Sequence, residues 1–366
     1  MAVLVLNVGS SSLKAALLQP ATAGGLQRLW QASARRDPAA DLDAQLSQWL
    51  APQLQPWWPQ LQAAGHRVVH GGEHFTGPTA IDAAVLTELE ALTPLAPLHN
   101  PPALQAIRWL QRQQPQLPQW ACFDTAFHAS LSPAASTYAL PAEWRQGGLR
   151  RYGFHGLNHQ HVAETAQIHW QAAGQSSSAR LISAHLGAGC SLAAIAGGRS
   201  IDTTMGFTPL EGLVMASRSG SVDPGLLLHL QRHQGVSLAA LEEGLQRRSG
   251  LLGLSQLSGD WPSLRAAAAA GHGGAQLALA VFEQQLRRGI GAMAASLGGV
   301  DQIALSGGIG ANDKELLNSL RQSMAWLGAV QWLQIPADEE GLIARQVLQR
   351  QRQAAGADQR SGRSGV

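Results

Sequence analysis

Two short turns rich in glycine and serine are the first candidates for a binding site. Residues 9–12 read Gly-Ser-Ser-Ser, and residues 187–191 read Gly-Ala-Gly-Cys-Ser. Small residues let backbone N–H groups approach a ligand closely, and N–H groups that converge with hydroxyls form a concavity suited to phosphate. Two such turns facing each other would hold a phosphoryl group between two domains.

The same local pattern surrounds both turns. An apolar, β-prone run ends in a polar residue, Asn7 or His185, and a second apolar run follows the turn at residues 13–18 or 192–196. Two matching β-hairpins indicate a duplicated domain. A chain of 366 residues is also too long for one ordinary hydrophobic core and has room for two domains of moderate size.

Two further polar residues stand at predicted strand ends. Arg67 lies in the motif GHRVVHGG, where a strand runs into a glycine turn, and Asp124 directly follows an apolar run. A planar guanidinium binds a carboxylate or phosphate through two parallel hydrogen bonds, and polar residues at strand ends in open α/β sheets face ligand crevices. His66 and His70 are interpreted as structural, because histidine near a glycine turn often hydrogen-bonds the backbone.

Composition argues against several classes of protein. Charged residues make up only 14% of the chain, the net charge is +2 and the basic residues are scattered, unlike a nucleic-acid-binding surface. The two cysteines form neither a disulfide framework nor a metal-ligand spacing. Neither a leader segment nor an apolar stretch of about 18 residues is recognisable, so we expect a cytoplasmic protein that binds neither membrane nor nucleic acid.

Seven motifs together resemble the acetate kinase (acetokinase) family of the sugar-kinase and actin superfamily. They occur in family order and read NVGSSSLK, GHRVVHGG, APLHNPP, FDTAFH, RRYGFHG, HLGAGCS and MGFTPLEGL, and the resemblance as a whole extends from residue 3 to about residue 345. Each motif alone is weak evidence, whereas the set is highly specific. The resemblance implies an α/β fold of two duplicated ribonuclease-H-like domains with an interdomain active-site cleft.

The expected domain boundaries follow from this resemblance and from helix signals. Residues 1–126 form the N-terminal domain, to which a C-terminal helix at 340–354 returns, and residues 127–339 form the nucleotide-binding and dimerisation domain of a homodimer. The basic, glycine-rich end, residues 355–366, is expected to be disordered. Asn100 is expected to cap a helix that begins after Pro101 and Pro102.

The resemblance implies reversible, Mg²⁺- or Mn²⁺-dependent, in-line phosphoryl transfer from ATP to acetate, giving acetyl phosphate and ADP. The catalytic residues it implies are Arg67, His99, Asp124, His155 and Arg218, of which His155 and Arg218 stabilise the transition state. The substrate-binding residues are Arg67, Val69, Leu98, Phe154 and Pro209. The metal-binding residues are Asn7 and Glu339. Whether His155 acts as a neutral donor or as a cation stays open.

The resemblance also implies a set of ATP-binding residues. They are Lys14, His185, Leu186, Gly187, Ala188, Gly189, Asp260, Trp261, Pro262, Gly307, Gly308, Ile309, Gly310, Ala311 and Asn312. For Lys14, a solvated surface charge is the alternative interpretation. Three positions depart from the family, which usually has Asn, Arg and Glu where this chain has Ala188, Pro262 and Ala311.

All three departures lie on the phosphate-donor side, while the acyl-side residues match the family. One alternative is therefore a short-chain carboxylate kinase with another donor, such as pyrophosphate or another nucleotide, or with propionate as the acceptor. A second alternative, from a different class, is a non-catalytic protein that binds an acyl phosphate or a partner.

Overall fold

The computed structural model describes residues 2–9, 12–22, 24–175 and 177–361, with side chains up to residue 354. The chain forms two compact units, one made of Met1–Phe127 with Asp338–Val366 and the other of His128–Ala337. These boundaries lie one or two residues from those expected from the sequence. Among the described residues, no helix is long and apolar enough to cross a bilayer.

Eleven strands are present in the described part of the chain, six in the first unit and five in the second. They are β1 (Ala2–Val8), β2 (Ser12–Pro20), β3 (Leu26–Arg35), β4 (Leu61–Val68), β5 (Thr79–Ala80), β6 (Gln119–Phe123), β7 (Leu181–Leu186), β8 (Cys190–Ala196), β9 (Arg199–Thr203), β10 (Gln302–Ser306) and β11 (Gln331–Gln334). The sheet orders are β3-β2-β1-β4-β6-β5 and β11-β10-β7-β8-β9.

The two sheets share one topology. In the first, β1, β2 and β3 pair antiparallel, β4 runs parallel to β1, and β6 runs parallel to β4. In the second, β7, β8 and β9 pair antiparallel, β10 runs parallel to β7, and β11 runs parallel to β10. The duplication predicted from the matching hairpins is thereby confirmed. Ser10 and Ser11 of the first turn lie outside the described residues, so its role in phosphate binding stays a prediction.

Helices cover these sheets. Within the described ranges they are α1 (Leu42–Trp49), α2 (Ala51–Leu54), α3 (Ala83–Ala91), α4 (Asn100–Gln113), α5 (Pro133–Ser136), α6 (Ala142–Arg145), α7 (Gly156–Ala172), α8 (Pro224–Gln234), α9 (Leu238–Arg247), α10 (Gly250–Ser255), α11 (Trp261–Ala269), α12 (Gly273–Leu297), α13 (Gly307–Gly310), α14 (Lys314–Ser323) and α15 (Glu339–Ser361). Helix α15 continues to Ser361, beyond the expected end at 354, and residues 362–366 of the expected tail lie outside the described residues.

Strand β1 of the first unit is buried at every position because helices cover both of its faces. Leu4 and Leu6 belong to a core that includes Trp109 of α4. On β4, a Cβ at Gly65 would lie 2.5 Å from a methyl carbon of Ile343 and 3.0 Å from one of Val347, so α15 packs directly against the strand backbone. The expectation that the last helix returns to the first domain fits this packing.

The second unit is built in the same way, with α7 on β7 and α12 on β8. The buried residues of α12, among them Phe282, Leu286 and Ile290, recur mostly every three or four positions, as a helix with one face on a sheet requires, whereas Leu277 on the other side is 54% exposed. One local expectation for the first unit is wrong. Asn100 does not cap α4 but lies inside it, and its side chain bonds both the N–H and the carbonyl of His70, at 3.1 and 3.0 Å.

Candidate active site

The carboxyl ends of three neighbouring parallel strands bring polar side chains together in the first unit. Asn7 lies near the end of β1, Arg67 near the end of β4, and Asp124 directly after β6. Arg67 Nε donates to both oxygens of Asp124 at 3.1 Å, and its Nη2 donates to Asp124 Oδ2 at 2.6 Å. Its Nη1 donates to Asn7 Oδ1 at 3.1 Å. Sequence analysis placed all three residues in the site but not their mutual hydrogen bonds.

The first turn of α15 completes this group. Glu339 Oε2 lies 3.4 Å from Arg67 Nη1 and accepts from Asn7 Nδ2 at 3.2 Å, and Asn7 Nδ2 lies 3.4 Å from Glu340 Oε1. Three carboxylates thus gather around one guanidinium, which leaves the group negative overall.

Burial and charge act in opposite directions on the central ion pair. Burial alone would lower the pKa of Arg67, but Asp124 and Glu339 raise it above its ordinary value. For Asp124, which is 1% exposed, burial raises the pKa, Arg67 opposes that rise, and Glu339 adds to it. Among the described residues, Asp124, Asn7 and Glu339 occupy the Nε, Nη1 and one Nη2 position of Arg67, which leaves one Nη2 proton for a ligand.

The donor set of this group fits a hard divalent cation. Glu339 and Glu340 present carboxylate oxygens, which Mg²⁺ prefers, and the excess negative charge suits a cation. Asn7 turns its Nδ2 to these carboxylates, while its Oδ1 accepts from Arg67. Among the described residues, no cluster of three or more His, Cys, Asp or Glu side chains is arranged to enclose a metal by itself.

The residues expected to form the acyl pocket differ in exposure. In the first unit, Val69 and His99 are half-buried and Leu98 is 39% exposed. In the second unit, Pro209 is half-buried, whereas Phe154 is only 1% exposed and offers almost no surface. The interpretation of His66 and His70 as structural fits their contacts, since His66 bonds Gln119 at 2.7 Å and His70 Nδ1 accepts the Gly72 N–H at 3.0 Å.

In the second unit, two basic side chains meet the glycine turn between β7 and β8. A Cβ placed on Gly189 would lie 3.0 Å from Arg218 Nη2 and 3.1 Å from His155 Nε2, so both groups rest against the turn. The ring of His185 lies 4.3 Å from that of His155. His155 has φ 56° and ψ 21°, a left-handed conformation that non-glycine residues rarely adopt. Three residues that the sequence singled out are thereby gathered at one turn.

Arg218 carries the positive charge at this turn. Its Nη1 donates to the Pro209 carbonyl at 2.7 Å, and burial lowers its pKa from the ordinary value, with Cys190 opposing. Among the residues that the structure describes, it has no carboxylate partner. A partly desolvated guanidinium without a counter-ion is suited to hold an anionic ligand.

A cavity of about 720 Å³ lies beside the same turn. Eight residues expected to bind ATP line it, namely Gly187, Ala188, Asp260, Trp261, Pro262, Gly308, Ile309 and Asn312. Six others do not, namely His185, Leu186, Gly189, Gly307, Gly310 and Ala311. Lys14, in the first unit, is an exposed residue of β2, as its alternative interpretation stated. The carboxylate of Asp260, expected to accept from a ribose, caps α11 by accepting from Ser263 N and Oγ at 3.0 and 2.6 Å.

An arginine that sequence analysis missed lines this cavity. Arg265 stands one helical turn after Trp261, with its guanidinium carbon 5.3 Å from the indole centre. Asp313, the cap of α14, accepts from Trp261 Nε1 at 2.6 Å and from Arg265 Nε at 3.0 Å. The cavity therefore contains a guanidinium although position 262, where the family usually has Arg, is proline.

Two residues lie behind His155, and the sequence had indicated Ser191 only as part of the turn and His159 not at all. Ser191 Oγ lies 2.9 Å from His155 Nδ1 and 2.8 Å from His159 Nε2. The spacing of four between His155, which directly precedes α7, and His159, in its first turn, was the available signal.

Comparison with known proteins gives the family. The acetokinase family matches residues 23–334. An acetate kinase of Synechococcus sp. (strain JA-2-3B'a(2-13)) is 45% identical over 360 residues, covering 90% of this chain and 88% of that protein. Crystal structures of a Porphyromonas gingivalis acetate kinase and a Francisella tularensis subsp. tularensis SCHU S4 propionate kinase both give a TM-score of 0.84. Their identities are 32% and 33%, and the alignments cover 95% and 94% of this chain and 99% and 98% of those chains. The chain belongs to the acetokinase family.

Proposed function

We propose that the protein is an acetate kinase that transfers the γ-phosphoryl group of ATP reversibly to acetate. The observation that carries this proposal is the meeting of Arg218 and His155 at the Gly189 turn, beside a cavity of about 720 Å³. A cation and an imidazole over a turn of backbone N–H groups are suited to a phosphoryl group in transfer. Family membership supports the same reaction.

The chemistry needs no protein nucleophile. One oxygen of acetate attacks the γ-phosphorus, the new O–P bond forms, and the bond from phosphorus to the β–γ bridging oxygen breaks. The electron pair of that bond leaves with ADP. No proton has to move, because a carboxyl group with a pKa of about 4 is already ionised at neutral pH. The protein therefore acts by positioning two anions and offsetting their repulsion.

We propose that Arg218, His155 and Arg67 offset the negative charge of the phosphoryl group and of the carboxylate. Arg218 faces the transferred phosphoryl group, and His155 donates a hydrogen bond to it, with His185 beside its ring. In the first unit, the free Nη2 proton of Arg67 binds the carboxylate, while Asp124 holds the guanidinium in place. His99, together with Val69 and Leu98, is assigned to the acetate side on the family resemblance.

Mg²⁺ is the metal that this function implies. On the family resemblance, Asn7 and Glu339 would hold it, with Glu340 close by. The two glutamate carboxylates supply negative charge for the ion, and Asn7 lies beside them, with its Nδ2 donating to both. When bound, the ion neutralises the polyphosphate and polarises its γ-phosphoryl group.

The shape of the cavity favours a nucleotide over pyrophosphate as the donor. A volume of about 720 Å³ is within the usual range for organic ligands and exceeds what two phosphates require. Trp261 and Arg265 line it with an indole and a guanidinium, and planar groups of this kind stack on a nucleobase. The substitutions at Ala188, Pro262 and Ala311 are therefore expected to alter nucleotide affinity rather than the class of donor.

Propionate is the second candidate acceptor. The Francisella tularensis structure, titled a propionate kinase, matches this chain as well as the acetate kinase structure does. On the family resemblance we further propose that the protein is a cytoplasmic homodimer. Light scattering would measure the mass of the particle and so test the dimer.

The function is tested by trapping acyl phosphate with hydroxylamine. Purified protein receives Mg²⁺ and either acetate or propionate, with either ATP or pyrophosphate. We expect product with ATP and a higher kcat/KM for acetate than for propionate. Product with pyrophosphate alone would overturn the donor assignment, and a preference for propionate would overturn the acceptor.

The site assignment is tested with two arginine variants. Arg218→Ala should lower kcat by about 10³-fold, because it removes the charge that faces the phosphoryl group. Arg247→Ala is the matched control, since that side chain on α9 is 62% exposed and pairs only loosely with Glu243, at 3.6 Å. Equal rates for the two variants would refute the assignment.

A further inference from the structure

A continuous line of hydrogen bonds leads from the interior of the second unit to His155. Ser183 Oγ lies 2.8 Å from His159 Nδ1, and Ser191 Oγ lies 2.8 Å from His159 Nε2. Ser191 Oγ also lies 2.9 Å from His155 Nδ1. Heavy-atom distances alone do not say which atom donates in each bond, because a neutral imidazole and a hydroxyl can each play both roles.

His159 is a neutral member of this line. Its side chain is 0% exposed, and burial lowers its pKa well below the ordinary value, with His128 and His185 acting in the same direction. A neutral imidazole carries one proton, so one ring nitrogen donates and the other accepts. The role of His159 at Ser183 therefore determines its role at Ser191.

The buried residue at the start of this line, Ser183, determines which atom donates in each hydrogen bond. Ser183 is 0% exposed, and among the described residues its hydroxyl has only His159 Nδ1 as a partner. If Ser183 accepted a hydrogen bond from that nitrogen, its own buried O–H would have no acceptor among the described residues, and an unsatisfied buried donor is destabilising. Ser183 therefore donates to His159 Nδ1, and the His159 proton is on Nε2, from which it donates to Ser191 Oγ.

The partners of Ser191 determine where its hydroxyl proton points. Its side chain is 0% exposed, and within the described ranges its hydroxyl has two partners, the rings of His159 and His155. Because it accepts from His159, its single proton is directed to His155 Nδ1. An imidazole nitrogen that accepts a hydrogen bond carries no proton.

We propose that Ser183, His159 and Ser191 form a positioning relay that holds His155 as a neutral imidazole with its proton on Nε2. This nitrogen is the atom that lies against Gly189, together with Arg218 Nη2. In so far as the proposed function is correct, the phosphoryl group at this turn meets one fixed positive charge, from Arg218, and one neutral donor, from His155. A neutral donor avoids a second positive charge next to Arg218, where like charges would repel.

Nitrogen NMR of the wild-type protein tests the relay directly. Protein labelled with ¹⁵N in its histidine rings is measured at pH 7, and the His155 signals are identified by their loss in His155→Gln. Protonated and unprotonated ring nitrogens have well-separated ¹⁵N shifts. We expect His155 Nδ1 to be unprotonated and Nε2 to be protonated. A proton on Nδ1, in either the cation or the other tautomer, overturns the proposal.

A pair of serine variants tests whether the relay affects the reaction. Ser191→Ala should change the His155 Nδ1 shift and lower kcat about tenfold, with each KM changed less than threefold. The matched control is Ser200→Ala, because Ser200 is equally buried and bonds His128 Nδ1 at 2.8 Å but does not contact His155. Its kcat should stay within twofold of wild type.

The outcomes for the relay and for the proposed function are separable. Unchanged Nδ1 shift and kcat in Ser191→Ala overturn the relay. A wild-type protein with the expected tautomer but without acyl phosphate synthesis overturns only the function. If Ser191→Ala does not fold, the wild-type spectrum still decides the proposal.

Discussion

Replacement of Gly189 by alanine tests whether His155 and Arg218 act at the turn between β7 and β8. The backbone of Gly189 does not have the positive φ that favours glycine, so alanine causes no backbone strain there. The added Cβ would lie 3.0 Å from Arg218 Nη2 and 3.1 Å from both Cε1 and Nε2 of His155. Ordinary contacts are 3.4–4 Å, so each group must retreat by a few tenths of an ångström.

The size of the retreat gives the expected loss of rate. A displacement of about 1 Å at a reacting centre can cost about a hundredfold, so a retreat of about half that distance costs about tenfold, or ~1.4 kcal/mol. Stability should change little. Crowding costs about 1 kcal/mol, and the lower entropy of the unfolded chain with alanine offsets about 0.4–1 kcal/mol. We therefore expect kcat to fall about tenfold with a nearly unchanged free energy of unfolding.

The assay is steady-state acyl phosphate formation with ATP and acetate, together with urea unfolding of the same preparation. Gly273→Ala at the start of α12 is the matched control, since its Cβ would have no heavy atom within 4 Å. Its kcat should equal that of wild type. A Gly189→Ala protein that unfolds like wild type and retains more than half of its kcat would refute the placement of both side chains at the reacting phosphoryl group.

Three further predictions address the ion pair, the cavity and the buried histidines. Asp124→Asn should lower the urea unfolding free energy by about 2 kcal/mol, because the buried Arg67 guanidinium loses its main counter-ion; a loss under about 0.5 kcal/mol would contradict this. Arg265→Met should raise the KM for ATP about tenfold and leave the KM for acetate unchanged, and equal changes in both would argue against a nucleotide contact. Burial lowers the pKa of His66 and His128 to about 4, so between pH 6.5 and 4 the unfolded chain takes up protons that the folded chain excludes, and stability falls as pH falls. In urea unfolding, the free energy of unfolding at pH 5 should be lower than at pH 7 by about 2 kcal/mol for each of these two histidines. Equal stability at both pH values would show that the two side chains are not buried in the neutral form.

The fold was accessible from the sequence because its two halves repeat. A polar residue at the end of the first strand of each hairpin, Asn7 or His185, marked the equivalent positions in the two sheets. Parallel strands align their carboxyl ends, so strand-end positions taken together with the family resemblance placed Arg67 and Asp124 at one site. Helix ends were less accessible, as Asn100 shows. Its amide satisfies the backbone of His70, a partner 30 residues away that no local signal reveals.

Only part of the site could be predicted from the sequence, because contacts between residues far apart in the chain leave no local sequence pattern. Proline at position 262 reads as the loss of an arginine contact, yet Arg265 brings a guanidinium into the cavity from the next helical turn. Likewise, the sequence left the charge of His155 open. We infer the neutral form from the buried hydroxyl of Ser183, which has one partner among the described residues, the ring of His159.

The packing of α15 on β1 and β4 has a consequence for biosynthesis. A ribosome releases residues 128–337 before the last helix exists, so the second unit has its whole sequence available while the first still lacks a segment. Until α15 is made, the face of β4 at Gly65 has no covering helix, and the oxygens of Glu339 and Glu340 are absent beside Asn7. A premature stop codon or protease cut before residue 338 therefore removes the carboxylates that we propose as metal ligands together with part of the core. Truncated chains should be recognised by the cell as unfolded rather than persist as partly active enzyme.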